Sequence, residues 1–312
     1  MGRSNKPIKV LVIGGSGQIG LTLKKLSKNH KKLQYYFPKS STVDLRKRKS
    51  IKEFLNKKNI QIILNLGAYT NVDGAERQKV VCEKINHKGP ENIALEASKS
   101  NIGIIHFSTD YVFGKGPSRV RREGDKCSPM NFYGLTKHEG EKAILKHSEN
   151  SLIVRLASVF SDQRNNFIKT ITKKILTEKE IKIISDQKIS MTRAFDVAKN
   201  IPNLIELLNK KEDLKSQILH FTNKGYTNWF SVSKIVKNEI ESFLNKKLNV
   251  KLMPIKAASW VSDAKRPLDS RLSVNYKFLE RNKIYLPSWE ESVRTEVINI
   301  LPNAIKEIRY ED

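Results

Sequence analysis

The chain's tightest constraint stands near its start. Ile8-Lys9-Val10-Leu11-Val12-Ile13 is a β-branched, strand-like run. Gly14-Gly15-Ser16-Gly17-Gln18-Ile19-Gly20 follows it, and a helical pattern continues from Leu21 to Leu26. Glycines between a strand and a helix permit a tight turn and let backbone N–H groups approach a pyrophosphate at the helix N-terminus. The spacing is Gly14-x-x-Gly17-x-x-Gly20, not G-x-G-x-x-G, and taken alone it is a common kind of turn. It carries weight because it opens a βαβ series.

That series continues. Leu33 to Phe37 reads as a second strand, Ser50 to Lys58 as a basic helix and Gln61 to Leu66 as a third strand. One long amphipathic helix is expected over Arg77 to Ser100, a fourth strand over Ile102 to Phe107, a helix from Asn131 to about Lys146 and a fifth strand over Leu152 to Leu156. Such alternation predicts an α/β fold with a Rossmann-type, doubly wound parallel sheet. After Phe160 the rhythm loosens into helices opened by Asn165-Asn166-Phe167, over 194–209 and over 229–246, with strands at 181–185 and 217–221 and a last helix after Pro287. The expected organisation is a dinucleotide-binding domain over residues 1–160 and a smaller, partly interleaved α/β substrate lobe over 161–312.

Composition excludes several function classes. No apolar run approaches the roughly 20 residues needed to cross a bilayer. Met1 to Pro7 is short and polar, so neither a signal peptide nor membrane insertion is expected. Cys82 and Cys127 offer no disulfide framework or metal spacing, and a cytoplasmic protein without a metal is the expectation. The formal charge of +26 is large, but Lys and Arg are spread in short sets such as Arg46-Lys47-Arg48-Lys49. Without a basic stripe carrying interleaved aromatics, the charge reads as a solvated surface and not as a specific nucleic-acid site.

The residues with chemistry lie between Ser108 and Lys137. On a helix, Tyr133 and Lys137 share a face. A phenol is a poor acid near neutrality unless a cation favours its phenolate, and Lys137 is placed to be that cation. Ser108 and Thr109 end the fourth strand and supply a hydroxyl. Gly67-Ala68-Tyr69-Thr70 puts small residues at the carboxyl end of the third strand, where a dinucleotide lies in such sheets. At the end of the second strand an acid would hold an NAD ribose, yet Phe37-Pro38-Lys39-Ser40-Ser41 stands there. Lys39 with two serines suits a 2′-phosphate, so NADPH is favoured and NADH is the alternative.

These segments resemble the extended short-chain dehydrogenase/reductases, and among them the dTDP-4-dehydrorhamnose reductase family. The resemblance rests on Gly14 to Gly20, Ala68 to Glu76, Ser108-Thr109-Asp110-Tyr111-Val112-Phe113, Tyr133-Gly134-Leu135-Thr136-Lys137, Asn165-Asn166-Phe167, Asp186-Gln187 and Arg266-Pro267-Leu268-Asp269-Ser270. It implies reduction of a nucleotide-linked 4-keto-6-deoxy sugar in surface-sugar synthesis, with Thr109, Tyr133 and Lys137 as the catalytic set. By motif position it assigns Gly14, Gly17, Gln18, Ile19 and Gly20 to the pyrophosphate region of the cofactor. Asp44 and Leu45 fall to the adenine, and Ala68, Tyr69 and Thr70 to the inner dinucleotide, with Tyr133 and Lys137 also touching the cofactor. Thr109, Asp110, Ser158 and Arg266 fall on the substrate side. A homodimer is admitted.

The chain also departs from the family pattern. Ser158 stands where a tryptophan is common, Ile189-Ser190-Met191-Thr192 replaces a Gly-x-Pro-Thr string, Gly114-Lys115-Gly116 replaces an Asp-Gly, and Asp269 replaces an Asn. Thr22 stands where some relatives carry a metal-binding carboxylate. Nucleotide-sugar dehydratases of this fold place an Asp-Glu pair after the catalytic Thr; here Tyr111 follows Asp110, which favours reduction. A reductase or epimerase for another nucleotide-sugar and a non-catalytic NADP-binding regulatory subunit are the alternatives.

Overall fold

The computed structural model describes residues 6–210 and 217–311. Residues 1–5, which carry much of the expectation about a leader, lie outside the described residues.

The first half alternates strand and helix: β1 (Ile8–Ile13), α1 (Gln18–Leu26), β2 (Leu33–Tyr36), α2 (Arg48–Lys58) and β3 (Ile62–Asn65). Then come α3 (Val72–Arg77), α4 (Lys79–Glu83), α5 (Gly89–Ala97), β4 (Gly103–Thr109), α6 (Phe132–His147) and β5 (Ser151–Leu156). The second half holds β6 (Val159–Phe160), α7 (Phe167–Thr177), β7 (Glu180–Ile184), β8 (Thr192–Arg193), α8 (Ala194–Asn209) and β9 (Ile218–His220). It closes with α9 (Trp229–Leu244), β10 (Lys251–Ile255), α10 (Tyr276–Arg281) and α11 (Trp289–Glu311).

Six strands form one parallel sheet in the order β2-β1-β3-β4-β5-β9. This is a Rossmann-type, doubly wound fold. Its strand order reverses between β1 and β3, the place where a crevice opens at the strands' carboxyl ends. Strands β3, β4 and β5 are buried along their whole length, as a sheet covered on both faces requires.

The smaller lobe has its own apolar core, built from Phe160, Ile168, Ile171, Ile181, Val232, Val236, Val293 and their neighbours around the parallel pair β7–β10. The chain passes repeatedly between the two bodies. Ala194, Val197, Ile201, Leu204 and Ile205 on α8 pack in the core of the large sheet, together with Leu219 on β9 and Leu279 and Ile284 near α10. So β9, although it follows residue 160, completes the large sheet, and α8 packs against that sheet.

The helix expected over Arg77 to Ser100 is interrupted. It breaks at Gln78, winds through a π turn over Lys84–Lys88 and resumes as α5. Pro90 in the first turn of α5 has no N–H for a regular α-helical bond and so favours the wider turn. Among the described residues, no helix is long and apolar enough to cross a membrane.

Candidate active site

A cleft of about 750 Å³ lies at the carboxyl ends of the strands. One wall is the glycine turn. Gly14 has φ +84°, and a Cβ there would come within 2.5 Å of the Gly67 nitrogen, so the two loops touch backbone to backbone. At Gly20 a Cβ would meet the Gly15 backbone at 2.6 Å, which lets α1 start directly against its own turn. Those contacts build a side-chain-free cradle, of the kind a dinucleotide pyrophosphate needs.

The second loop is pinned from below. The Asn86 amide, carried by the π turn, accepts from the Tyr69 N–H at 2.8 Å and donates to the Tyr69 carbonyl at 3.0 Å. Gly67, Ala68 and Thr70 line the cleft.

The opposite wall carries the reactive groups. Asn131 caps α6 by accepting from the Gly134 N–H at 2.8 Å, and Glu76 accepts from the Phe132 N–H at 2.7 Å. These bonds fix the first turn, where Tyr133 sits. Thr109 ends β4, and its hydroxyl accepts from the Tyr111 N–H at 3.2 Å and donates to Asp110 Oδ1 at 3.0 Å. Thr109, Tyr133 and Lys137 all line the cleft.

Burial dominates the electrostatics. It pushes the Tyr133 phenol above its ordinary value, with the Thr109 hydrogen bond working against the rise. It takes Lys137 down to about 8, against the pull of Glu141 and Cys82. Lys137 Nζ donates to the Phe107 carbonyl at 2.7 Å and lies 3.3 Å from His106 Nε2. The lysine is therefore anchored to the floor of the site. Burial also raises the Asp110 carboxyl to about 6, with Ser270 and Thr109 opposing the rise.

Of the residues expected from the sequence, Gly14, Gly17, Gln18, Ile19, Gly20, Ala68, Thr70, Thr109, Asp110, Tyr133, Lys137 and Ser158 come together around the cleft. Asp44, Leu45, Tyr69 and Arg266 are not among its lining residues. The Asp44 carboxylate is held by Arg46, and the Arg266 guanidinium is bound by Asp73 at 3.1 and 2.7 Å. Phe167 and Trp229 also line the cleft, and the sequence reading misses both. Their rings lie 4.5 Å apart, and Trp229 Nε1 donates to Gln187 at 3.1 Å. In the sequence Phe167 enters only within the helix-opening Asn165-Asn166-Phe167 segment of the resemblance and Trp229 only as the start of a helix; neither position shows that its ring reaches the cleft from the smaller lobe.

Among the described residues, Cys127, His138 and Glu141 place three ligand-type atoms within 4.8 Å of one another. Arg155 already donates to both Glu141 oxygens at 2.9 and 2.7 Å and reaches the Cys127 sulfur at 3.2 Å, so a cation would have to displace it.

A glycine cradle facing a Thr–Tyr–Lys wall defines a dinucleotide-dependent oxidoreductase site of the short-chain type. Residues 8–301 match the family model described as RmlD substrate binding domain, and the chain belongs to that family. It is similar to a dTDP-4-dehydrorhamnose reductase of Sinorhizobium fredii, with 30% identity over 94% of this chain and 98% of that protein. Among solved structures, the dTDP-4-dehydrorhamnose reductase of Bacillus anthracis in complex with NADP matches with a TM-score of 0.83 and 28% identity, over 94% of this chain and 99% of that one. The corresponding protein of Clostridium acetobutylicum matches with a TM-score of 0.83 and 30% identity, over 95% and 100%.

Proposed function

We propose that this chain reduces the 4-keto group of a nucleotide-linked 4-keto-6-deoxy sugar of the dTDP-4-dehydrorhamnose type, in the cytoplasm, with NADPH as the reductant. The observation that carries this reading is the meeting of Thr109, Tyr133 and Lys137 in the same cleft as the glycine cradle. When bound, the reduced nicotinamide supplies the hydride. Tyr133 donates its proton to the carbonyl oxygen at C4, and Thr109 hydrogen-bonds the same oxygen as negative charge develops on it. Lys137 holds the nicotinamide ribose and eases the proton's departure from Tyr133. Gly17, Gln18 and Ile19 bind the pyrophosphate, while Asp110 and Ser158 face the sugar. Arg266 acts on the nucleotide side only if Asp73 releases it.

The test is NADPH oxidation with a panel of nucleotide-linked 4-keto-6-deoxy sugars. Turnover of at least one is expected. Firm NADPH binding with no turnover of any would favour a regulatory subunit instead. Lys39 is exposed just beyond β2. Lys39→Glu is expected to raise the KM for NADPH about tenfold while changing that for NADH less than about twofold, since only NADPH carries the 2′-phosphate. Equal effects on both would remove Lys39 from cofactor choice.

A further inference from the structure

His106 is fully buried in β4, in a strand otherwise made mostly of apolar residues, and lies directly beneath the site. Its Nδ1 is 2.9 Å from Asn65 Nδ2, and its Nε2 is 3.3 Å from Lys137 Nζ. The orientation of the Asn65 amide is set by its other contact, because Asn65 Oδ1 accepts from the Gly67 N–H at 3.2 Å. An amide NH2 only donates, so His106 Nδ1 must accept and carries no proton. A neutral ring then has its proton on Nε2, pointed at Lys137. An ammonium has no acceptor to offer that N–H, whereas an amine does.

We propose that His106 is a positioning residue that opposes protonation of Lys137 by donating an Nε2–H hydrogen bond to the amine. Charging Lys137 requires the ring to change tautomer and the Asn65 amide to turn, which breaks the bond from Gly67 in the cofactor loop. The chain Gly67–Asn65–His106–Lys137 thus links the charge of the lysine to the loop at the cradle. The other groups facing Lys137 are Cys82 from α4, and Tyr133 and Glu141 on its own helix. The role assigned to His106 rests on the reductase reading, but its first test does not require turnover.

In the cofactor-free enzyme, nitrogen-15 NMR of histidine above pH 8 is expected to show the Nε2–H tautomer at His106, assigned by the loss of its signals in His106→Gln. An Nδ1–H tautomer would overturn the proposal. The second test is the pH profile of kcat/KM. Activity should fall as pH rises through about 8, where Lys137 loses its proton. In His106→Leu, which removes the opposing N–H, that limb should move up by about one unit, and in His106→Gln, which keeps a terminal N–H, it should stay near the wild-type position. A limb that moves down or does not move in His106→Leu would overturn the proposal. Absence of turnover in the wild-type enzyme would count against the reductase reading alone, since the tautomer is read independently.

Discussion

Tyr133→Phe is expected to lower kcat by at least about 100-fold while NADPH affinity stays within about threefold, the pattern of a lost transition-state proton donor. Phenylalanine keeps the ring and its edge-to-face contact with Tyr111, whose centroid is 6.0 Å away at an interplanar angle of 74°. The first turn of α6 is held by Asn131 and Glu76, not by the phenol, so the wall of the cleft should survive the change. What disappears is the proton aimed at the substrate oxygen. Because burial holds that proton more tightly than an ordinary phenol does, its release depends on charge developing nearby during the reaction. Steady-state NADPH oxidation together with calorimetric NADPH binding separates the two effects. A kcat close to wild type would take Tyr133 out of the mechanism.

Arg155→Met is expected to destabilise the fold by about 3–5 kcal/mol, the usual cost of leaving a buried charge without its partner. Arg155 and Glu141 are each 1% exposed, and the guanidinium grips both carboxylate oxygens while lying 5.0 Å from the centre of the Phe113 ring. Burial alone would raise the Glu141 carboxyl, but the two hydrogen bonds from Arg155, with the His138 ring 3.5 Å away, overcome it and hold the group at about 2. A depressed carboxylate stabilises the fold fully above its unfolded value of roughly 4.3 and loses that contribution as pH falls toward 2. Denaturant titration at neutral pH should show the loss in Arg155→Met and a large recovery when Glu141→Met is added, because the stranded charge is then gone. A loss below about 1 kcal/mol in the single variant would mean that Glu141 finds another partner or takes up a proton at little cost.

The parts of the fold legible in the sequence are those set by local physics. The glycine turn needs residues without side chains at Gly14 and Gly20, and Asn131, Asn166 and Asn228 each cap the helix they precede. Thr109, Tyr133 and Lys137 can be brought together because a strand end and a helical spacing fix where they project. Other features depend on partners far along the chain. Nothing near Arg266 announces that Asp73 will take its guanidinium, and nothing near Trp229 announces Phe167 or Gln187. Helical spacing pairs Lys137 with Tyr133 as its cation. In the structure the Lys137 nitrogen makes its closest bond to the backbone of β4 instead. His106 is silent in the sequence, because a polar residue within a buried strand gives no sign of which groups it will meet.

The passage of the chain from body to body has a consequence for inheritance. β9 completes the large sheet only after β6, α7, β7 and β8 have been built, and α9, β10 and α11 follow it. A recombination joint after β5 would bring in a foreign lobe but would also leave β5 as a bare edge in place of a paired, buried strand. Exchange of the smaller lobe at that joint would therefore cost the large sheet β9.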